Sequence, residues 1–177
     1  MPRLFVAIDL PADVALDLGN ISCGLPGARW VPPEQLHLTL RFIGDVDGGV
    51  FADIREALAG VRSESFSLRI KGVGFFPPRK RPRVIWAGIE PSEELILLYK
   101  RIESTLLNCG LPPEGRKFSP HITLARLKNT PLSRVTAFLG QHALLASRSF
   151  TIDRFLLYSS VLGRSGAKHY VEDEYLL

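Results

Sequence analysis

Cysteine is nearly absent from this 177-residue chain: Cys23 and Cys109 are the only two. No CxxC and no Cys/His cluster accompanies them, which excludes a disulfide scaffold. Two reduced thiols in a cytoplasmic protein is the reading that follows. Long apolar runs are missing too. None approaches the ~20 residues that span a bilayer. The apolar N-terminal stretch Leu4–Ile8 is stopped by Asp9, far short of a signal-peptide core. No membrane association and no export are expected. The HExxH spacing of a helical zinc site is also lacking.

What is present describes a globular chain. Hydrophobic residues make up 46% and charged residues 23%, enough for a sizeable core. The length suits one domain, or two small lobes sharing a core. A net charge of +4 and a pI near 9.3 fit an anionic ligand, nucleic acid included.

The sequence is a doubled unit, with four landmarks recurring in the same order. Leu4–Pro11, an apolar run ending in an acid and a proline, matches Val84–Pro91; setting Ile8 against Ile89 gives an offset of 89 − 8 = 81. Cys23-Gly24-Leu25-Pro26 matches Cys109-Gly110-Leu111-Pro112 at 109 − 23 = 86. His37-Leu38-Thr39-Leu40 matches His121-Ile122-Thr123-Leu124 at 121 − 37 = 84, and Ser65–Leu68 matches Ser149–Ile152, again at 149 − 65 = 84. The halves run over about 1–78 and 79–177.

Each half reads as strand, helix, strand, helix, strand. The first helices are expected over Ala12 to about Ser22 and Ser92 to about Asn108, each ended by a glycine (Gly24, Gly110) with a proline behind it. The second helices fall near Gly49–Val61 and Pro131–His142. Final strands fall near Phe66–Phe76 and Phe150–Ser160. The expected fold is α+β and bilobal: a pseudo-two-fold duplication, an antiparallel sheet in each lobe, helices outside and a central cleft, all in one domain over 1–177.

The chemistry sits on the two histidine strands. Alternate strand residues share a face. His37, Thr39 and Arg41 therefore fall together, opposite Leu36, Leu38, Leu40 and Phe42; His121 and Thr123 fall opposite Ile122 and Leu124. If the halves meet by two-fold symmetry, two imidazoles and two hydroxyls converge. That set suits in-line displacement at phosphorus: one imidazole takes a proton from the attacking group, the other gives one to the leaving oxygen, and both titrate near neutrality. The rival is zinc held by two histidines and a carboxylate, but no carboxylate shares the HxT faces. No metal and no cofactor are expected.

Other residues have plainer readings. Arg79-Lys80-Arg81-Pro82-Arg83 reads as a solvated loop before it reads as a guide for an RNA backbone. Phe42 is placed in the core, although an aromatic there could stack on a base. His142 and His169, which lack partner motifs, are placed on the surface; Trp30 and Trp86 are assigned to packing. Arg164 and Tyr170 flank a glycine-containing loop.

Two HxT[hydrophobic] motifs half a chain apart resemble the two-histidine phosphoesterase superfamily. The stretches Trp30–Gly44, Phe75–Pro77, Arg83–Gly88, Phe118–Arg126 and Leu156–Ser160, with Gly166 and Tyr170, narrow the resemblance to the bacterial and archaeal RNA 2′,3′-cyclic phosphodiesterases, once named 2′-5′ RNA ligases. It extends over nearly the whole chain. The resemblance implies hydrolysis of RNA or nucleotide 2′,3′-cyclic phosphates to 2′-phosphates. It implies His37 as the acid at O3′, His121 as the base that activates water, Thr39 and Thr123 as phosphate binders, and Arg126 near the phosphate. Arg126 lies five residues past His121, so a regular strand points it away; it reaches the phosphate only if the strand ends or bulges. Reversible ligation at the same ends and a non-catalytic RNA- or nucleotide-binding module are the alternatives. A monomer is expected.

Overall fold

The computed structural model describes residues 1–177. In chain order the elements are β1 (Arg3–Asp9), α1 (Ala12–Ile21), β2 (Ala28–Trp30), β3 (His37–Asp45), α2 (Gly48–Ala59), β4 (Phe66–Leu68), β5 (Ile70–Phe76), β6 (Val84–Ile89), α3 (Glu93–Asn108), β7 (His121–Leu127), α4 (Leu132–Gln141), β8 (Phe150–Ile152), β9 (Arg154–Gly163) and β10 (Gly166–Leu176). The fold is α+β, and every strand pair is antiparallel.

The helices start and stop for local reasons. Ser92 caps α3 by accepting a hydrogen bond from the Leu95 N–H at 3.1 Å, with Glu93 and Glu94 in the first turn facing the positive end of the helix dipole. At the other end Gly110 takes φ +83°. Its N–H donates to Leu107 O and that of Leu111 to Leu106 O, the paired bonds of a Schellman ending that needs a left-handed residue. Asp47 caps α2 through Val50 N–H at 2.9 Å. Pro11 and Pro131 stand at the entries of α1 and α4.

The strands form two sheets. The larger runs β10-β9-β1-β3-β7-β6-β5, with β2 beside β7; the smaller pairs β4 with β8. Both contacts between equivalent strands join equivalent residues. Leu38 lies opposite Ile122, where 122 − 38 = 84. Ser67 lies opposite Thr151, where 151 − 67 = 84. A residue that pairs with its own repeat mate sits on the two-fold axis, so these pairs mark the pseudo-symmetry of the duplication. The β3–β7 contact is that one pair; past it the strands separate, leaving an antiparallel sheet on either side of a cleft.

The spatial lobes do not coincide with the sequence halves. β9, from the second half, pairs with β1 of the first, while β5, from the first half, pairs with β6 of the second. Register also corrects the first repeat landmark. Ile8 lies opposite Leu38 and Ala87 opposite Ile122, so Ile8 matches Ala87 at 87 − 8 = 79 rather than Ile89.

Leu4, Val6 and Ile8 of β1, Ile85 and Ala87 of β6, and Phe155 and Leu157 of β9 are buried in one core with Ile54, Leu98 and Ile102 from the helices. No helix is long and apolar enough to cross a membrane.

Candidate active site

The two histidines flank the symmetry axis. Leu38 and Ile122 are fully buried on the helix side of the sheet, so His37, Thr39, His121 and Thr123 emerge together on the opposite face, all half-buried. Both HxT pairs thus come together as the alternation requires.

Each imidazole is held the same way. His37 Nδ1 lies 2.7 Å from Gln35 O, and His121 Nδ1 lies 2.8 Å from Ser119 O. A carbonyl only accepts, so Nδ1 carries the hydrogen in both rings. Nε2 is left as the atom free to exchange a proton with a ligand.

Beyond the threonines both strands bulge at the same place. Val6 faces Arg41 but Ala7 faces Thr39, so Leu40 is the extra residue in β3. Ile85 faces Ala125 but Trp86 faces Thr123, so Leu124 is the extra residue in β7. A bulge inverts the alternation that follows it. Arg126 is thereby exposed on the cleft face, and its charge depresses the pKa of His37.

The bulge in β3 overturns two expectations. Arg41, expected beside His37, is 6% exposed; its Nε donates to Glu103 at 2.5 Å, and its remaining donors reach Phe42 O and Pro112 O. Phe42, expected in the core, is 43% exposed, stacked on Phe5 with the Arg3 guanidinium over its ring.

The surroundings of the two rings differ. His37 has the Phe5 ring at 5.0 Å and Tyr158 at 6.0 Å, while His121 has Phe76 at 5.0 Å and Trp86 at 6.5 Å. Trp86 lies so close to Gly74 that a Cβ there would come within 2.2 Å of the indole, so only glycine fits opposite it. Asp9, in register opposite His37, is engaged by Arg154 at 2.5 Å; its repeat counterpart opposite His121 is Gly88. Burial is the largest influence on His37 and brings its pKa down to about 4. The bond to Gln35 opposes this, while His169, His121 and Arg126 add repulsion. The free site therefore holds His37 neutral at pH 7, whereas the expected acid role needs it protonated.

Two functional candidates were not legible in the sequence. His169, expected on the surface, has its ring 5.2 Å from that of His37, because β10 lies beside β9 and β9 beside β1. Arg29 of β2 stands opposite Arg126, so two guanidinium groups border the cleft. Neither belongs to a repeated motif, and only the strand order brings them in. The packing assignment of Trp30 holds, with Phe138 at 5.7 Å, and His142 packs on Phe138 at the end of α4.

Residues 8–86 and 88–169 each match the family described as LigT like Phosphoesterase, once per half of the duplication. The chain belongs to this family. It is 37% identical over 170 residues to an RNA 2′,3′-cyclic phosphodiesterase of Thermotoga maritima, covering 93% of this chain and 89% of that one. It is 37% identical over 145 residues to a protein of that name from Aeropyrum pernix, covering 81% and 82%. The fold superposes on the crystal structure of Escherichia coli LigT in apo form with a TM-score of 0.80 at 26% identity, covering 99% of this chain and 97% of that one. LigT has also been crystallised with 3′-AMP and with phosphate.

Proposed function

We propose that this chain hydrolyses RNA or nucleoside 2′,3′-cyclic phosphates to 2′-phosphates by acid–base catalysis without a metal ion. The observation that carries the proposal is the pair of imidazoles at symmetry-equivalent positions on one sheet face, each with Nδ1 tied to the carbonyl two residues earlier. In this reading His121 takes a proton from water as its oxygen forms the new bond to phosphorus. The P–O3′ bond breaks, and His37 delivers a proton to O3′. Thr39 and Thr123 donate hydrogen bonds to the non-bridging oxygens, and Arg126 offsets their charge. His37 is neutral in the free site, so the bound phosphate anion must supply the charge that holds a proton on it. The protein works as a cytoplasmic monomer in this account, on nucleotides or RNA ends.

The test is turnover of a panel of nucleoside 2′,3′-cyclic phosphates in excess chelator. Activity should persist, the product should carry its phosphate on O2′, and His37→Ala and His121→Ala should each lower kcat by about 10²–10⁴-fold. Loss of turnover in chelator, restored by a divalent ion, would exclude the metal-free mechanism. A 3′-phosphate product would reverse the assignment of the leaving oxygen.

A further inference from the structure

Only two buried side-chain polar atoms in the chain lack a hydrogen-bond partner: His169 Nδ1 and Trp86 Nε1. They are not scattered. Trp86 flanks His121, and His169 flanks His37. A buried polar atom without a partner is destabilising, and an aliphatic or phenyl side chain at either place would avoid the cost. Both enclosed atoms belong to residues that wall the site, one beside each imidazole.

His169 is the more informative of the two. Its ring stands edge-on to His37 at 5.2 Å and 85°, and edge-on to Phe5 at 5.0 Å and 79°. It is half-exposed with Nδ1 enclosed, so Nε2, which no protein group engages, is the nitrogen left to meet a ligand. Arg126, from the opposite lobe, depresses the pKa of both His37 and His169, so one guanidinium acts on both rings. An anion paired with Arg126 is then within the same reach of His169.

We propose that His169 is a third imidazole of the active site, a substrate-binding residue that donates a hydrogen bond to a phosphoryl oxygen of the bound cyclic phosphate. This rests on the phosphodiesterase reading and adds to it a residue that belongs to neither HxT motif. The contact makes the site asymmetric: the His37 side gains a second imidazole, and the His121 side has an indole N–H instead.

The experiment compares the wild-type protein with His169→Phe, which keeps an aromatic ring against Phe5 and His37 but removes both nitrogens. With a nucleoside 2′,3′-cyclic phosphate as substrate, KM should rise roughly tenfold or more, the loss that follows removal of a hydrogen bond to a charged group. kcat should fall by a smaller factor. The inhibition constant of the nucleoside 2′-phosphate product should rise in parallel with KM, and the melting temperature should hold or increase, because an unpaired buried nitrogen has gone. An unchanged KM and inhibition constant would overturn the proposal, as would a lowered melting temperature with KM intact, which is the mark of packing alone. Inactivity of the wild-type protein towards every cyclic phosphate would instead refute the phosphodiesterase reading. If His169→Phe does not fold, the imidazole NMR signals of the wild-type protein take its place: those lost in His169→Gln should shift as the 2′-nucleotide is added, and fixed signals at saturation would count against the contact.

Discussion

His37 and His121 are the same residue type on equivalent strands, yet their neighbours differ, and those of His37 lower its pKa. Enclosure by Phe5, Tyr158 and His169 removes water from His37, and the titratable and charged groups facing it from other strands are His121 and Arg126 of β7 and His169 of β10. The ring is therefore held neutral, with a folded-state pKa of about 4 against 6.5 for a free imidazole. Between those values the unfolded chain binds a proton that the folded chain does not. Stability from neutral His37 is thus fully present above pH 6.5 and is lost as the pH falls towards 4. Thermal melts of wild type and His37→Phe between pH 7.5 and 4 should show the variant losing less melting temperature on acidification. The same burial predicts a kinetic signature. The profile of kcat/KM reports the free protein and should carry a limb near pH 4. A bound phosphate anion stabilises the imidazolium, so the corresponding limb in kcat should lie at higher pH. The limbs belong to the coupled pair of histidines. Coincident profiles would mean that the anion does not act on His37.

At the scale of elements, the paired bulges in β3 and β7 decide which side chains enter the cleft, and the β5–β6 hairpin decides what lies beyond it. Val84 lies opposite Arg126, and Leu127 N–H donates to Arg83 O at 2.8 Å, so the basic hairpin tip continues directly from Arg126. Arg79, Lys80, Arg81 and Arg83 are exposed and join no ion pair. Free cations in line with a phosphate site suit the backbone of a longer RNA. Serine at 79, 80 and 81 should lower kcat/KM on an oligoribonucleotide ending in a cyclic phosphate and leave a mononucleotide unaffected. It should also flatten the salt dependence by about 0.7 in log–log slope for each phosphate that is no longer neutralised. Equal effects on both substrates would return the run to an ordinary solvated loop. Much at this scale was legible in the sequence. The start of α1 and both ends of α3 follow from proline, serine and glycine at fixed places, and the HxT faces follow from period two, whereas α1 stops at Ile21, short of the ending expected at Gly24. The bulges were not legible, because one extra residue leaves no trace in composition; hence Arg41 and Phe42 exchanged places, while Arg126 came into reach. The expected strands Phe66–Phe76 and Phe150–Ser160 are each cut in two, at Arg69 and Asp153, where the chain passes from the small sheet to the large one. Their apolar pattern runs through the cut, and only the tertiary partner reveals it.

For the whole molecule, the exchange of final strands should make the duplication a single cooperative unit. Of the strand pairs formed by β1 to β5, only β1–β3 lies within the first half; β2, β4 and β5 each find their partner in the second. The dependence is energetic as well as topological. β9 delivers Phe155, Leu156 and Leu157 into burial beside β1, each at most 3% exposed. At about 1.5–3 kcal/mol per buried side chain, these three alone approach the ~5–15 kcal/mol by which a domain is stable. A chain of residues 1–78 loses them together with every pairing of β2, β4 and β5, so no half-molecule should persist as a folded lobe. Residues 1–78 and 79–177 produced separately should each lack a cooperative thermal transition by circular dichroism. Mixed in equal amounts, they should recover one, and with it cyclic-phosphate hydrolysis, because His37 and His121 lie in different fragments and meet only across the Leu38–Ile122 pair. A cooperative melt from 1–78 alone would show that the first half is self-sufficient and that the exchanged strands are an addition to a stable lobe, not a condition of it.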